Sequence, residues 1–163
     1  MLPTITTPTH TRTTLLVTWF ALTFAGLVHS QTVGLAPFTT DGCSRFPDGT
    51  HQHPELWQSC CVAHDAAYWA GGTADQRKLA DQALQQCVAT QGQSSVSALM
   101  LMGVRVGGSP FIPSSFRWGY GWPLWRGYQP LTDAERAEVL ARWPEEVVPP
   151  DYLKAPKAQS PIE

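Results

Sequence analysis

Two of the four cysteines in this chain, Cys60 and Cys61, are neighbours, and that adjacency restricts the fold more than any other feature. A bond between them would close a small, strained ring. Of the three pairings that four cysteines allow, two therefore survive, each tying Cys60 and Cys61 to Cys43 and Cys87. A zinc site is the rival use of the four thiols. No C-x-x-C knuckle is present, however, and His51 and His53 fall in a loop-like stretch where solvated histidines are ordinary.

An even cysteine count points to disulfides when the chain is exported, and the N-terminus supports export. A Thr-rich start carrying Arg12 leads into the apolar run Leu15 to Val28, broken by Thr18, Thr23 and Gly26. That run is short for a membrane span. Val28 and Ser30 supply the small-x-small pattern of a secretory signal cut before Gln31. Residues 1–30 are thus expected to be a signal peptide, with a retained anchor as the alternative, and the mature protein is expected to be secreted or periplasmic. The mature chain fits one domain, placed at 31–143, with a Pro-rich tail at 144–163 that is expected to be disordered or loosely docked. The formal charge of −2 comes with no basic run, which argues against a nucleic-acid partner.

The turn signals Asp41-Gly42 and Pro47-Asp48-Gly49 make residues 31–53 loop rather than helix. From Pro54 to Ala70 neither Gly nor Pro interrupts until Gly71-Gly72, which predicts a first helix ended by a left-handed glycine. Thr73 with Gln76 forms a capping box for a second helix to about Ala89, with Ala80, Ala83, Leu84, Cys87 and Val88 as its apolar stripe. So short a link sends the two helices back antiparallel. A third helix, Ser94 to Val106, is apolar on most sides and is expected to be buried or to lie against lipid. The segment 107–130 keeps no period and is rich in Gly, Pro, Trp, Tyr and Phe. It reads as an irregular aromatic cover, either a lid on the core or an interfacial surface. Thr132 and Glu135 cap a short helix to Trp143. The fold class is all-α.

On the first helix Cys60, Cys61, His64 and Tyr68 recur at helical spacing and share a face, with Asp65 one step round. If Cys60 bonds Cys87, Asp81 falls level with His64. Six residues separate Asp81 from Cys87, about 120° of rotation, so Asp81 lies at the edge of the stripe. Reaching inward beside Leu84 and Val88, its carboxylate would fix the imidazole tautomer, and Tyr68 would hydrogen-bond the same group. The plainer reading leaves Asp65 solvated and Asp81 on a charged surface with Asp75, Arg77 and Lys78.

The run Cys60-Cys61-Val62-Ala63-His64-Asp65-Ala66-Ala67-Tyr68 resembles the C-C-x-x-H-D-x-x-Y helix of the secreted phospholipase A2 family, of the prokaryotic type. Asp81, six residues before Cys87, matches that family's next helix, and the likeness covers roughly 41–88. The resemblance implies a phospholipase A2-like fold in which Cys43 pairs with Cys61 and Cys60 with Cys87. It implies calcium as cofactor, a phospholipid or membrane surface as partner, and hydrolysis of the sn-2 ester of glycerophospholipids. His64 is then the general base that takes a proton from water, and Asp81 and Tyr68 orient it. Asp65 ligates calcium together with main-chain oxygens of Gly42, Ser44 and Phe46. This loop departs from the family pattern, since Ser44, Arg45 and Phe46 stand where glycines follow the cysteine. Asp41 and Asp48 are expected to act as turn residues there. The alternative function is a non-catalytic, secreted, disulfide-stapled lipid- or protein-binding module.

Overall fold

The computed structural model describes residues 34–154; the expected signal peptide and the end of the tail lie outside them. Five helices succeed one another, α1 (Gln58–Ala70), α2 (Ala74–Thr90), α3 (Ser94–Gly107), α4 (Asp133–Ala141) and α5 (Asp151–Lys154), with no strand among the described residues. The all-α expectation holds. None of these helices is long and apolar enough to cross a membrane.

The first helix begins at Gln58, not Pro54. Trp57 explains the delay: its backbone N–H donates to the Asp48 carbonyl and its indole N–H to the Pro47 carbonyl, so the chain is held against the preceding loop. Residues 53–57 therefore run as successive turns. At the other end Gly71 has the expected positive φ of 68°, and its N–H closes onto the Ala67 carbonyl. Both capping boxes form, Thr73 with Gln76 on α2 and Thr132 with Glu135 on α4. The α4 helix stops at Ala141, short of Trp143.

Disulfides Cys43–Cys61 and Cys60–Cys87 leave no free cysteine among the described residues. The zinc alternative thereby loses its thiolates. The Cys60–Cys87 bond lies at one end of the helix pair and the His64–Asp81 contact further along, a falling register that defines α1 and α2 as antiparallel. The buried stripe of α2 differs from expectation. Ala83 is exposed, whereas Arg77 and Asp81 are buried beside Ala80, Leu84 and Val88. A polar pair takes the place of an apolar one because α1 and α3 supply it with partners.

Two halves of α1 serve two cores. Its first turns pack Trp57, Cys60 and Cys61 against Leu84 and Val88 of α2 and Met100 of α3. Its last turn packs Trp69 and Ala70 against Leu35, Trp122, Leu131, Val139 and Leu153. Between them lie Ala67, Tyr68, Ala80 and Trp118.

The aromatic segment resolves into two parts. Trp118 and Trp122 are buried, and their indole N–H groups donate to the carbonyls of Gly72 and Ala70. Backbone N–H groups of Gly119 and Gly121 reach the carbonyls of Tyr68 and Trp69. The segment thus satisfies the carbonyls that the end of α1 would otherwise leave without partners. Phe111, Ile112 and Trp125 face outward. Helix α3 is likewise divided: Ser97 and Met100 are buried, while Leu99, Met102 and Val106 are 51%, 60% and 78% exposed.

The tail expectation requires correction. Residues 144–154 are docked: Val147 is buried, Leu153 is 1% exposed in the core, and Arg136 donates to the Tyr152 carbonyl. Val147 and Leu153, with Tyr152 packed beside the core and the Trp143 indole donating to the Val147 carbonyl, anchor a stretch whose prolines suggest otherwise.

Candidate active site

Helix α1 delivers His64 and Tyr68 one turn apart, and α2 brings Asp81 up against both. Asp81 is fully buried, and the edge position expected from the sequence is turned inward. Its Oδ1 lies 3.1 Å from His64 Nε2 and accepts the Tyr68 hydroxyl at 2.7 Å. A carboxylate acceptor at Nε2 selects the Nε2–H tautomer. Nδ1 has no hydrogen-bond partner among the described residues and is the nitrogen left to take a proton. The His64 and Tyr68 rings sit 4.1 Å apart at their centroids, which restricts imidazole rotation. Burial, then the Asp81 charge, pushes the Tyr68 hydroxyl above its ordinary range, so it stays a donor.

His64 opens onto a cavity of about 720 Å³ whose walls are largely apolar, including Leu84, Leu99, Met102, Val104 and Phe116. His64, Asp65 and Tyr68 also line it, as do Gly42, Ser44, Arg45 and Phe46 of the preceding loop. Of the sequence-predicted residues, His64, Asp65, Tyr68, Gly42, Ser44 and Phe46 line this cavity, while Asp81 is buried against His64 and Tyr68 without lining it. Such a shape accepts an apolar chain with a polar group at His64.

Asp65 is half-buried, and Oδ2 accepts the Thr40 hydroxyl at 2.7 Å. Burial, and then the charges of Asp41 and Asp48, raise its carboxyl to about 7 against the lowering effect of Thr40. No Lys or Arg forms an ion pair with Asp65, Asp41 or Asp48 among the described residues. Uncompensated acidic oxygen beside a loop is a donor set suited to a hard cation. Among the described residues no three His, Cys, Asp or Glu side chains are arranged to hold a metal, so main-chain oxygens would have to complete such a shell. The loop is in the left-handed region at Gly42 and at Ser44, with φ of 75° and 51°, a conformation that glycine adopts readily and serine rarely. Asp41 and Asp48 behave as turn residues: Asp48 Oδ1 accepts the Cys43 N–H, and Asp41 Oδ1 accepts the Ser44 hydroxyl.

Two functional neighbours are not foreseen from the sequence. Arg77, expected on a charged surface, is buried and donates to the Tyr68 and Tyr128 hydroxyls and to the carbonyls of Val104 and Arg105. Arg105 of α3 places Nε 2.8 Å from Asp81 Oδ2. Arg77 stands four residues before Asp81, hence on the same helical face, and that spacing is the available signal. Nothing local marks Arg105.

The fold and this set of side chains define a disulfide-stapled helical protein with a His–Asp–Tyr constellation beside a largely apolar cavity. No family model, no curated protein and no solved structure matches the chain.

Proposed function

We propose that this protein is an exported, calcium-dependent esterase of the phospholipase A2 kind that hydrolyses the sn-2 ester of glycerophospholipids. One observation carries the reading: Asp81 Oδ1 engages both His64 Nε2 and the Tyr68 hydroxyl, and these two side chains line a cavity with largely apolar walls. The motif's likeness to the family adds the reaction class, and the paired cysteines fit an oxidising compartment.

An acyl chain enters the cavity beside Leu99, Met102 and Phe116, which brings its ester to His64 and excludes bulk water from the reacting carbonyl. Nδ1 of His64 removes a proton from a water as that water attacks. Positive charge then develops on the imidazole, and Asp81 balances it through Nε2. Tyr68 holds the carboxylate still. Asp65 and main-chain oxygens of Gly42, Ser44 and Phe46 would hold calcium, which when bound supplies Lewis-acid stabilisation of the oxyanion. The proton on Nδ1 finally passes to the leaving alkoxide, giving a free fatty acid and a lysophospholipid.

Turnover of a fluorogenic phospholipid, measured with calcium and then with chelator, tests this. Chelator-sensitive release that falls roughly a thousandfold in His64→Gln is expected. Release unaffected by either change, or none at all from folded protein, rejects the esterase and leaves the stapled binding module as the reading.

A further inference from the structure

Asp81 divides its two oxygens unequally. Oδ1 takes His64 Nε2 and the Tyr68 hydroxyl, whereas Oδ2, equally buried, accepts no hydrogen bond. Two cations face it. Arg105 Nε is at 2.8 Å but off the line a directional N–H bond needs, and Arg77 Nε is at 4.0 Å. Arg105 is itself clamped to α2, since its Nη2 donates to the Lys78 carbonyl and its own carbonyl accepts from Arg77 Nη2. Its guanidinium is therefore a fixed counter-charge, delivered from the last turn of α3 onto the oxygen that neither His64 nor Tyr68 touches.

We infer that Arg105 is a positioning residue for the proposed hydrolysis, acting through Asp81, a role that rests on the esterase reading. With Arg105 in place, attraction on Oδ2 opposes rotation of the carboxylate, and Oδ1 stays aimed at Nε2. Without it, Arg77 is the nearest cation, 4.0 Å from Oδ2 and bonded to Tyr68. The carboxylate then turns Oδ2 toward Arg77, Oδ1 withdraws from His64, and the imidazole loses what selects its Nε2–H tautomer. The cavity-lining residues other than His64 and Tyr68 are untouched by this change, so substrate binding is preserved while the chemical step suffers.

The full chain and its Arg105→Gln and Arg105→Lys variants separate this role from a structural one. Steady-state kinetics on phospholipid vesicles with calcium should show kcat reduced about thirtyfold in Arg105→Gln with KM unchanged, and largely restored in Arg105→Lys. Imidazole nitrogen NMR at one fixed pH should show the His64 Nε2–H tautomer dominant in the wild type and the Lys variant and mixed with Nδ1–H in the Gln variant. Circular dichroism identifies any variant that fails to fold, and if Arg105→Gln is one, folded Arg105→Met replaces it in the same two readouts with the same expected and overturning results. Unchanged kcat in folded Arg105→Gln, equal loss in the Gln and Lys variants, or an undisturbed tautomer overturns the inference. If the wild type itself turns over no lipid, the functional reading fails, and the tautomer measurement still decides whether Arg105 orients the pair.

Discussion

Asp65 holds its proton more tightly than a free carboxyl because burial and its neighbours Asp41 and Asp48 penalise the charged form, raising it from 3.8 to about 7. The folded chain therefore binds this proton better than the unfolded chain does. The contribution to stability is present below about pH 4 and disappears as pH rises through about 7. In chelator, thermal unfolding of the wild type should show a decline in Tm between pH 5 and pH 8 that is shallower in Asp65→Asn. Calcium should offset that decline in the wild type alone, and its apparent affinity should weaken as pH falls below about 7, since proton and ion compete for one carboxylate. Equal calcium stabilisation of wild type and Asp65→Asn would remove Asp65 from the cation site. Tyr68 offers a second residue-scale test. Tyr68→Phe leaves Asp81 Oδ1 with His64 alone and Arg77 Nε without that acceptor. A loss of about 1–3 kcal/mol by denaturant unfolding is expected.

At the scale of elements, the α1–α2 pair is held by covalent, polar and apolar contacts at successive levels. The Cys60–Cys87 bridge spans 27 residues of sequence. Replacing both cysteines by Ala should cost about 2–4 kcal/mol, read as a lower denaturant midpoint, and should leave a measurable fraction of turnover because the Asp81 contacts do not depend on sulfur. Gly108, at the end of α3, shows how closely a neighbouring element supports the site. A Cβ there would run into the Tyr68 ring and hydroxyl and the Val104 carbonyl, so Gly108→Ala should displace Tyr68 and lower kcat as well as Tm. The α1 boundaries illustrate the limits of pattern reading. Its end is marked locally by Gly71-Gly72, whereas its start depends on Trp57 reaching Pro47 and Asp48, contacts that no propensity encodes.

For the molecule as a whole, the described residues from Trp122 to Leu153 contribute to the core that ends α1. Leu153 is 1% exposed among Trp69, Trp122 and Val139, so Leu153→Ala should destabilise by about 2–5 kcal/mol in chemical denaturation. Truncation after Trp143 should lower Tm at least as far, where a loosely docked tail would have left it unchanged. The outward face made by Leu99, Met102 and Val106 adjoins the cavity that Leu99 and Met102 also line. An apolar surface of this kind would suit a protein whose substrate lies in lipid.

Which side chains travel together on each helix follows from local spacing. Cys60, Cys61, His64 and Tyr68 share a face through spacing alone, the Gly-Gly-Thr link turns the chain back, and two capping boxes mark where helices begin. Those are local properties, fixed within a few residues by backbone geometry. The inward aim of Asp81 arises from long-range packing, because its burial depends on Arg77 from the previous turn and Arg105 from another helix supplying the compensating charge. Such packing likewise decides that Trp118 and Trp122 bond the carbonyls at the end of α1 while Trp125 faces out. A buried charge or indole is tolerated only where distant parts of the chain meet its needs, and sequence spacing carries no record of those meetings.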